Sequence, residues 1–220
     1  MYGSTIAKLG AIAAEHWGMF TTAEASGAGV ARKTLSGLAT SGAVERVAQG
    51  VYRVAGAPAA ALEIDSIRVH WLAVGGAATA DGARAIVAAG TTAAALHEVG
   101  DWMPGVTDFV SLTRRTTRLP GVRLRTRQLS ADDIIHVDGL PTMTVERMIA
   151  DLVESREDLS LVSRALADAA WRGNLTQPRR LPGLLDSLAH RNGYTSGHAF
   201  ANDLLRSAGL DPEDVGVGRS

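Results

Sequence analysis

Residues 19–56 confine what the N-terminal part of this chain can become, because they punctuate two short helices and two short strands within one compact run. Thr21 and Thr22 each offer a hydroxyl that accepts from backbone N–H groups of an opening helical turn, and Glu24 suits the positive end of that helix. Gly27-Ala28-Gly29 then supplies a sharp turn, since glycine enters left-handed backbone conformations without steric cost. A second helix is expected from about Ala31. Val30, Leu35 and Leu38 recur at helical spacing and face a core, which leaves Arg32, Lys33, Thr34 and Ser36 largely outward, and Gly42 ends the helix. Next, Ala43-Val44-Glu45-Arg46-Val47 and Val51-Tyr52-Arg53-Val54 alternate around a turn at Ala48-Gln49-Gly50. That pattern predicts a hairpin with Val44, Val47, Tyr52 and Val54 toward the helices and Arg46, Gln49 and Arg53 on the wing or its flank.

A helix-turn-helix with a two-stranded wing makes DNA the first partner to consider. The N-terminal part of the second helix enters the major groove in this motif, so Arg32, Lys33, Thr34 and Ser36 are the candidate readers, with Thr22 at the start of the first helix. Arg46, Gln49 and Arg53 are candidates for the sugar-phosphate backbone or a minor groove. The alternative, that Arg46 and Arg53 are solvated strand residues, is equally open.

The net charge of -1 over 220 residues argues against DNA binding, but the charge is unevenly placed. Residues 1–57 carry five basic and three acidic side chains, residues 111–130 carry six arginines and no acid, and the remainder is acidic. Hydrophobic residues make up 46% of the chain, enough for a sizeable core in one large or two small domains. No apolar run approaches the length of a membrane span and no secretory leader pattern opens the chain, so a cytoplasmic protein without a membrane partner is expected. Cysteine is absent, which removes disulfides and thiolate chemistry.

The small-residue segment Ala55–Ala61 reads as a linker, giving domains 1–57 and 58–220. From Leu62 a helix is expected as far as Gly75-Gly76, and another over Thr91–Val99. Strands are expected at Thr107–Thr113, Gly121–Gln128 and Ile134–Val137, followed by a turn at Asp138-Gly139. Helices follow at Val145–Ser155, with Thr144 as cap, and around Leu159–Trp171, Leu181–His190 and Ser196–Ala208, before a frayed tail from Asp211. The fold class is α+β: a winged helix-turn-helix followed by a mixed α/β domain.

The order of several segments resembles a known family. Val44-Glu45-Arg46-Val47-Ala48-Gln49-Gly50-Val51-Tyr52-Arg53, Thr92-Ala93-Ala94-Ala95-Leu96-His97, Phe109-Val110-Ser111-Leu112-Thr113, and Asp138-Gly139-Leu140-Pro141 with Val145-Glu146-Arg147-Met148-Ile149-Ala150-Asp151-Leu152 are similar to AbiEi-type antitoxins. The resemblance covers most of residues 5–170. It implies an antitoxin of the AbiE type IV toxin-antitoxin class, associated with phage defence. In that class the winged helix binds operator DNA and represses the operon, and the C-terminal domain counters a nucleotidyltransferase-like toxin without a stable complex. By the same resemblance Glu146, Arg147 and Asp151 form a motif of the antitoxin domain, with Arg147 and Asp151 spaced to pair on one helix face. That pair serves either antitoxicity or simply the stability of the domain.

The arginine block admits two readings. If Arg123, Arg125 and Arg127 alternate along a strand they share one face and, with Arg114, Arg115 and Arg118, form a second basic surface for nucleic acid, a nucleotide or an acidic partner. Otherwise they form a solvated strand face and loop, paired to the acidic C-terminal helices. An enzyme is not expected: Asp132-Asp133 and Glu157-Asp158 are adjacent pairs that diverge, the six histidines have no metal-ligand spacing, and no Gly-x-Ser-x-Gly elbow is present. No cofactor or metal is expected either. The other functional class is an effector-responsive winged-helix repressor without antitoxin activity, with Trp71, Trp102 and Trp171 around a pocket, although large aromatics are more often core.

Overall fold

The computed structural model describes residues 2–79, 85–103 and 105–218, and the chain divides into two compact units, Met1–Thr79 and Ala80–Ser220. The first is the winged helix. Helix α1 (Tyr2–Ala14) leads into strand β1 (Met19–Thr21), α2 (Thr22–Gly27), α3 (Arg32–Thr40), β2 (Val44–Ala48), β3 (Val51–Val54) and α4 (Leu62–Ala73). Thr21 caps α2 through a reciprocal box: its hydroxyl accepts from the Glu24 N–H, and the Glu24 carboxylate accepts from the Thr21 N–H. Gly29 at φ +80° makes the turn into α3, and Gly42 at φ +74° lets the chain leave it.

The three strands form an antiparallel sheet in the order β1-β3-β2. Its register separates two faces. Val44 opposite Val54 and Phe20 opposite Tyr52 point toward the helices, where Phe20 stacks on Tyr52 at 5.8 Å and joins Leu9, Leu35 and Leu38 in one core. Met19, Glu45 and Arg53 share the opposite face. Helix α4 packs on all three strands, burying Ile67, Trp71 and Leu72. The first unit therefore extends through residue 79 rather than ending at 57, and Ala55–Ala61 is a connector within it. Sequence patterning marks the connector but not where the following helix docks.

The second unit holds β4 (Ile86–Ala88), α5 (Gly90–His97), β5 (Thr107–Ser111), β6 (Val122–Thr126), β7 (Ile134–Val137), β8 (Leu140–Met143) and helices α6 (Val145–Glu154), α7 (Leu159–Trp171), α8 (Leu181–Ala189) and α9 (Gly197–Ser207). Its mixed sheet runs β6-β5-β4-β8-β7, with β4 antiparallel to β5 and parallel to β8, and β5 parallel to β6. Asp138 and Gly139, at φ +50° and +81°, form the turn of the β7–β8 hairpin. Val87, Val110, Met143, Ile149, Leu166, Leu185 and Phe200 belong to one continuous core. Between Asp211 and Gly218 the chain is not frayed, because Val217 is buried in that core and its N–H donates to the Pro212 carbonyl at 2.7 Å. Trp71 lies in the core of the first unit and Trp102 packs against that of the second, whereas Trp171 is 86% exposed.

Trp71 meets Trp17 edge to face at 6.0 Å, and the Arg68 guanidinium lies 4.8 Å over the Trp17 ring. This cluster leaves no room at Gly76, where a Cβ would fall 2.2 Å from the Trp71 indole. Gly76→Val is expected to destabilise the first unit by about 1–3 kcal/mol through overpacking. Gly10→Ala, at an open helical position, is expected to stabilise it by about 0.5–1 kcal/mol. Urea unfolding followed by tryptophan fluorescence checks both signs.

Candidate nucleic-acid interface

Helix α3 presents the expected face. Leu35 and Leu38 are buried while Arg32, Lys33 and Ser36 are exposed and Thr34 is half-buried. Ala31, the residue capping α3, provides no side-chain acceptor, so no side chain of this chain covers the start of the helix from that position. The Ser36 hydroxyl donates to the Arg32 carbonyl at 3.1 Å, leaving its lone pairs free to accept.

The wing residues part company. Gln49 is exposed at the tip, and Arg46 is exposed with its Nε donating to the Ala48 carbonyl at 3.4 Å. Arg53 is turned to the other side of the sheet, where it donates to both carboxylate oxygens of Asp65 on α4 at 2.6 and 2.7 Å. Only 13% of its side chain is exposed, which corrects the expectation that it faces DNA from the wing. The physical reason is the strand period: Arg53 lies opposite Met19 and Glu45, on the face that α4 covers. Thr22 is half-buried and bonded to the wing tip, its N–H donating to the Gly50 carbonyl at 2.8 Å and its hydroxyl at 3.3 Å. A cleft of about 450 Å³ within this unit brings Thr22, Arg32 and Gln49 together.

In the second unit, Arg123, Arg125 and Arg127 do alternate along β6, but as ion-pair partners rather than as an open stripe. Arg125 donates to Asp108 at 2.7 Å and to Asp151 at 2.6 Å, and neither carboxylate is exposed to solvent. Burial alone would lower the Arg125 pKa, yet the hydrogen bonds and charges of the two aspartates raise it above its ordinary value. Arg123, half exposed, also donates to Asp108, and Arg127 pairs with Glu154 at 2.5 Å. Gly90 opens α5 against the same cluster at φ +51°, where a Cβ would lie 3.0 Å from an Asp108 oxygen. Of the loop arginines, Arg114 and Arg118 are exposed, while Arg115 is half-buried with one terminal nitrogen enclosed. Of the expected second basic surface, Arg114, Arg118 and Arg123 are exposed and Arg115, Arg125 and Arg127 are half-buried, the three on β6 being paired to carboxylates.

The Glu146–Arg147–Asp151 motif is also rearranged. Arg147 pairs with Glu154 at 3.6 Å, because Asp151 is engaged by Arg125 from the sheet and lies 3.4 Å from Arg127. Glu146 is fully buried, with one oxygen accepting the Gln177 N–H at 2.6 Å and the other unpartnered. Asp108, which anchors the network, was not anticipated from sequence. Among the described residues no group of histidine and carboxylate side chains is placed to hold a metal ion, and no helix is long and apolar enough to cross a membrane.

Residues 8–55 match the family model described as transcriptional regulator, AbiEi antitoxin. The winged helix is similar to that of AbiEi-type regulators. The match includes the resembling segment Val44–Arg53, while the resembling segments from Thr92 onward lie outside it. The fold is similar to that of the crystal structure of the RV2827C protein from Mycobacterium tuberculosis, at a TM-score of 0.52 and 18% identity over 99% of this chain and 82% of that one. No curated protein matches the chain.

Arg125→Met is expected to cost about 3–5 kcal/mol, because it leaves two buried carboxylates short of their shared cation. Arg123→Met is expected to cost about 1 kcal/mol or less, since its half-exposed side chain is replaceable by water. Chemical denaturation of both variants tests the contrast. A pH dependence follows from Glu24 in the first unit. Burial raises its pKa, but hydrogen bonds from His16 and Thr21 outweigh burial and hold it below the ordinary carboxylate value. Its contribution is present above the unfolded pKa and is lost as pH falls through the depressed folded value. Wild-type protein is therefore expected to lose more stability than Glu24→Gln between pH 7 and pH 3, measured by urea unfolding at each pH.

Proposed function

We propose that this protein is a cytoplasmic type IV antitoxin that represses its own operon through the first unit and counters a nucleotidyltransferase-like toxin through the second. The observation that carries the reading is the exposed Arg32–Lys33–Ser36 face of α3 inside the segment matched by the AbiEi antitoxin regulator family. Free guanidinium and ammonium groups at the start of a helix-turn-helix recognition helix suit base edges and phosphates of operator DNA. The placing of neutralisation in the second unit is supported by the likeness of residues 92–97, 109–113 and 138–152 to AbiEi-type antitoxins. Glu146, Arg147 and Asp151 support that unit structurally, since each is buried or half-buried within its own contacts. The reading requires no cofactor.

The test pairs two readouts in one host: a reporter driven by the protein's own promoter, and survival on induction of the neighbouring reading frame as toxin. Full-length Arg32→Ala/Lys33→Ala is expected to lose repression at least tenfold while retaining rescue. Failure of the wild-type chain to rescue would leave a regulator without antitoxicity, and joint loss of both activities in the folded double variant would refute the division between units.

A further inference from the structure

The wing of this protein does not project. Its tip, Gln49-Gly50, is fastened to α2 by the two bonds from Thr22 to the Gly50 carbonyl, and β1 pairs with β3 as far as Thr21 opposite Val51. A tip held in this way stands beside the helices instead of reaching along a groove. Gln49 and Arg32 border the same cleft of about 450 Å³, with Leu72 and Ala73 among its apolar lining. Arg32 is exposed and makes no hydrogen bond or ion pair among the described residues. Glu24, the acid in the lining, is already engaged: one oxygen accepts the Thr21 N–H and hydroxyl at 2.8 Å each, and the other stands 2.9 Å from His16 Nε2. The free polar side chains in the lining are thus the Arg32 guanidinium, the Gln49 amide and the Ser26 hydroxyl, with Arg32 the one charged group among them. Lys33 and Ser36 lie outside its lining.

Duplex DNA offers two kinds of surface to such a face. Its phosphates form convex ridges, which a concave surface accepts, whereas base edges lie recessed and are reached by side chains that protrude. We propose that the cleft seats the sugar-phosphate backbone of one DNA strand, with Arg32 and Gln49 as contacts and Thr22 as the residue that positions the tip. Sequence readout then falls to Lys33 and Ser36. The inference rests on the operator-binding reading above and divides its labour: Arg32 supplies affinity for any duplex and Lys33 supplies preference for one.

Fluorescence anisotropy of the full-length protein tests this, using a labelled duplex from its own promoter and a shuffled duplex of equal composition between 50 and 250 mM salt. Arg32→Ala is expected to weaken both duplexes by the same factor, about tenfold, and to reduce the slope of log affinity against log salt by about 0.9, the value for one phosphate. Arg32→Lys is expected to keep the slope. Lys33→Ala is expected to reduce the promoter-to-shuffled ratio. Thr22→Val is expected to weaken both duplexes in the wild-type background and to add nothing to Gln49→Ala. A change in the promoter-to-shuffled ratio with Arg32→Ala, or an unchanged salt slope, would overturn the backbone seat. Additive losses for Thr22→Val and Gln49→Ala would overturn the positioning role. Equal binding of both duplexes by wild-type protein refutes the operator reading while the salt slopes still decide the seat, and binding to neither overturns both.

Discussion

Asp108 and Asp151 enter the second unit from a strand and a helix, and one guanidinium reconciles them. Neither carboxylate meets solvent, so each loses its hydration on folding and must recover it from Arg125, whose planar fork reaches both within 2.7 Å. That requirement ties β5, β6 and α6 into one geometry and extends to α5, which can begin close beside the cluster because Gly90 has no side chain. An apolar core of similar volume would hold these layers together equally well or better. What the ion pairs add is register. Arg125 lies opposite Val110 in the parallel pairing of β5 and β6, and sliding the strands by one residue would turn its side chain to the other face and abandon both carboxylates.

A comparable constraint shapes the first unit on a smaller scale. The sheet has two faces and only one can rest on the helix-turn-helix core, so α4 covers the other and Asp65 meets Arg53 there. Pairing leaves Arg53 unavailable to DNA while it stabilises the underside of the wing. Both faces of the sheet are covered except at Glu45 and Arg46 of β2, and its hairpin tip lies close to α2, where Thr22 bonds to it. Packing against α4 and the placing of Gln49 beside Arg32 thus follow from the same geometry.

Local signals in the sequence carried the helix-turn-helix: the Thr21–Glu24 box, Gly29, Gly42 and the spacing of Leu35 and Leu38 are all set by neighbours in the chain. The C-terminal helices were legible for the same reason, α7 beginning and ending at the residues its pattern indicates. What escaped was non-local. Strand β4 consists of three fully buried residues, Ile86, Val87 and Ala88, with no alternation to reveal it, and a short apolar run reads equally as helix. Arg53 looked like a wing residue because nothing near it in sequence announces Asp65. The arginine run looked like a surface because its acids lie elsewhere in the chain. A signal was present, however: Asp108 interrupts the apolar side of β5, and an acid buried in a central strand demands a cation.

Counting charges along the chain therefore misjudges where its binding power lies. Three of the six arginines at 111–130 are committed to carboxylates, so the most basic segment of the sequence offers much less free charge than its composition implies. In the first unit the exposed cations are Lys8, Arg32, Lys33 and Arg46. Affinity gained from counterion release scales with the number of phosphates neutralised, and a unit with so few exposed cations gains little of it. A regulator built this way holds weakly to arbitrary DNA and depends proportionately more on the side chains that reach base edges. On the proposed division of labour, discrimination rests on Lys33 and Ser36 of α3.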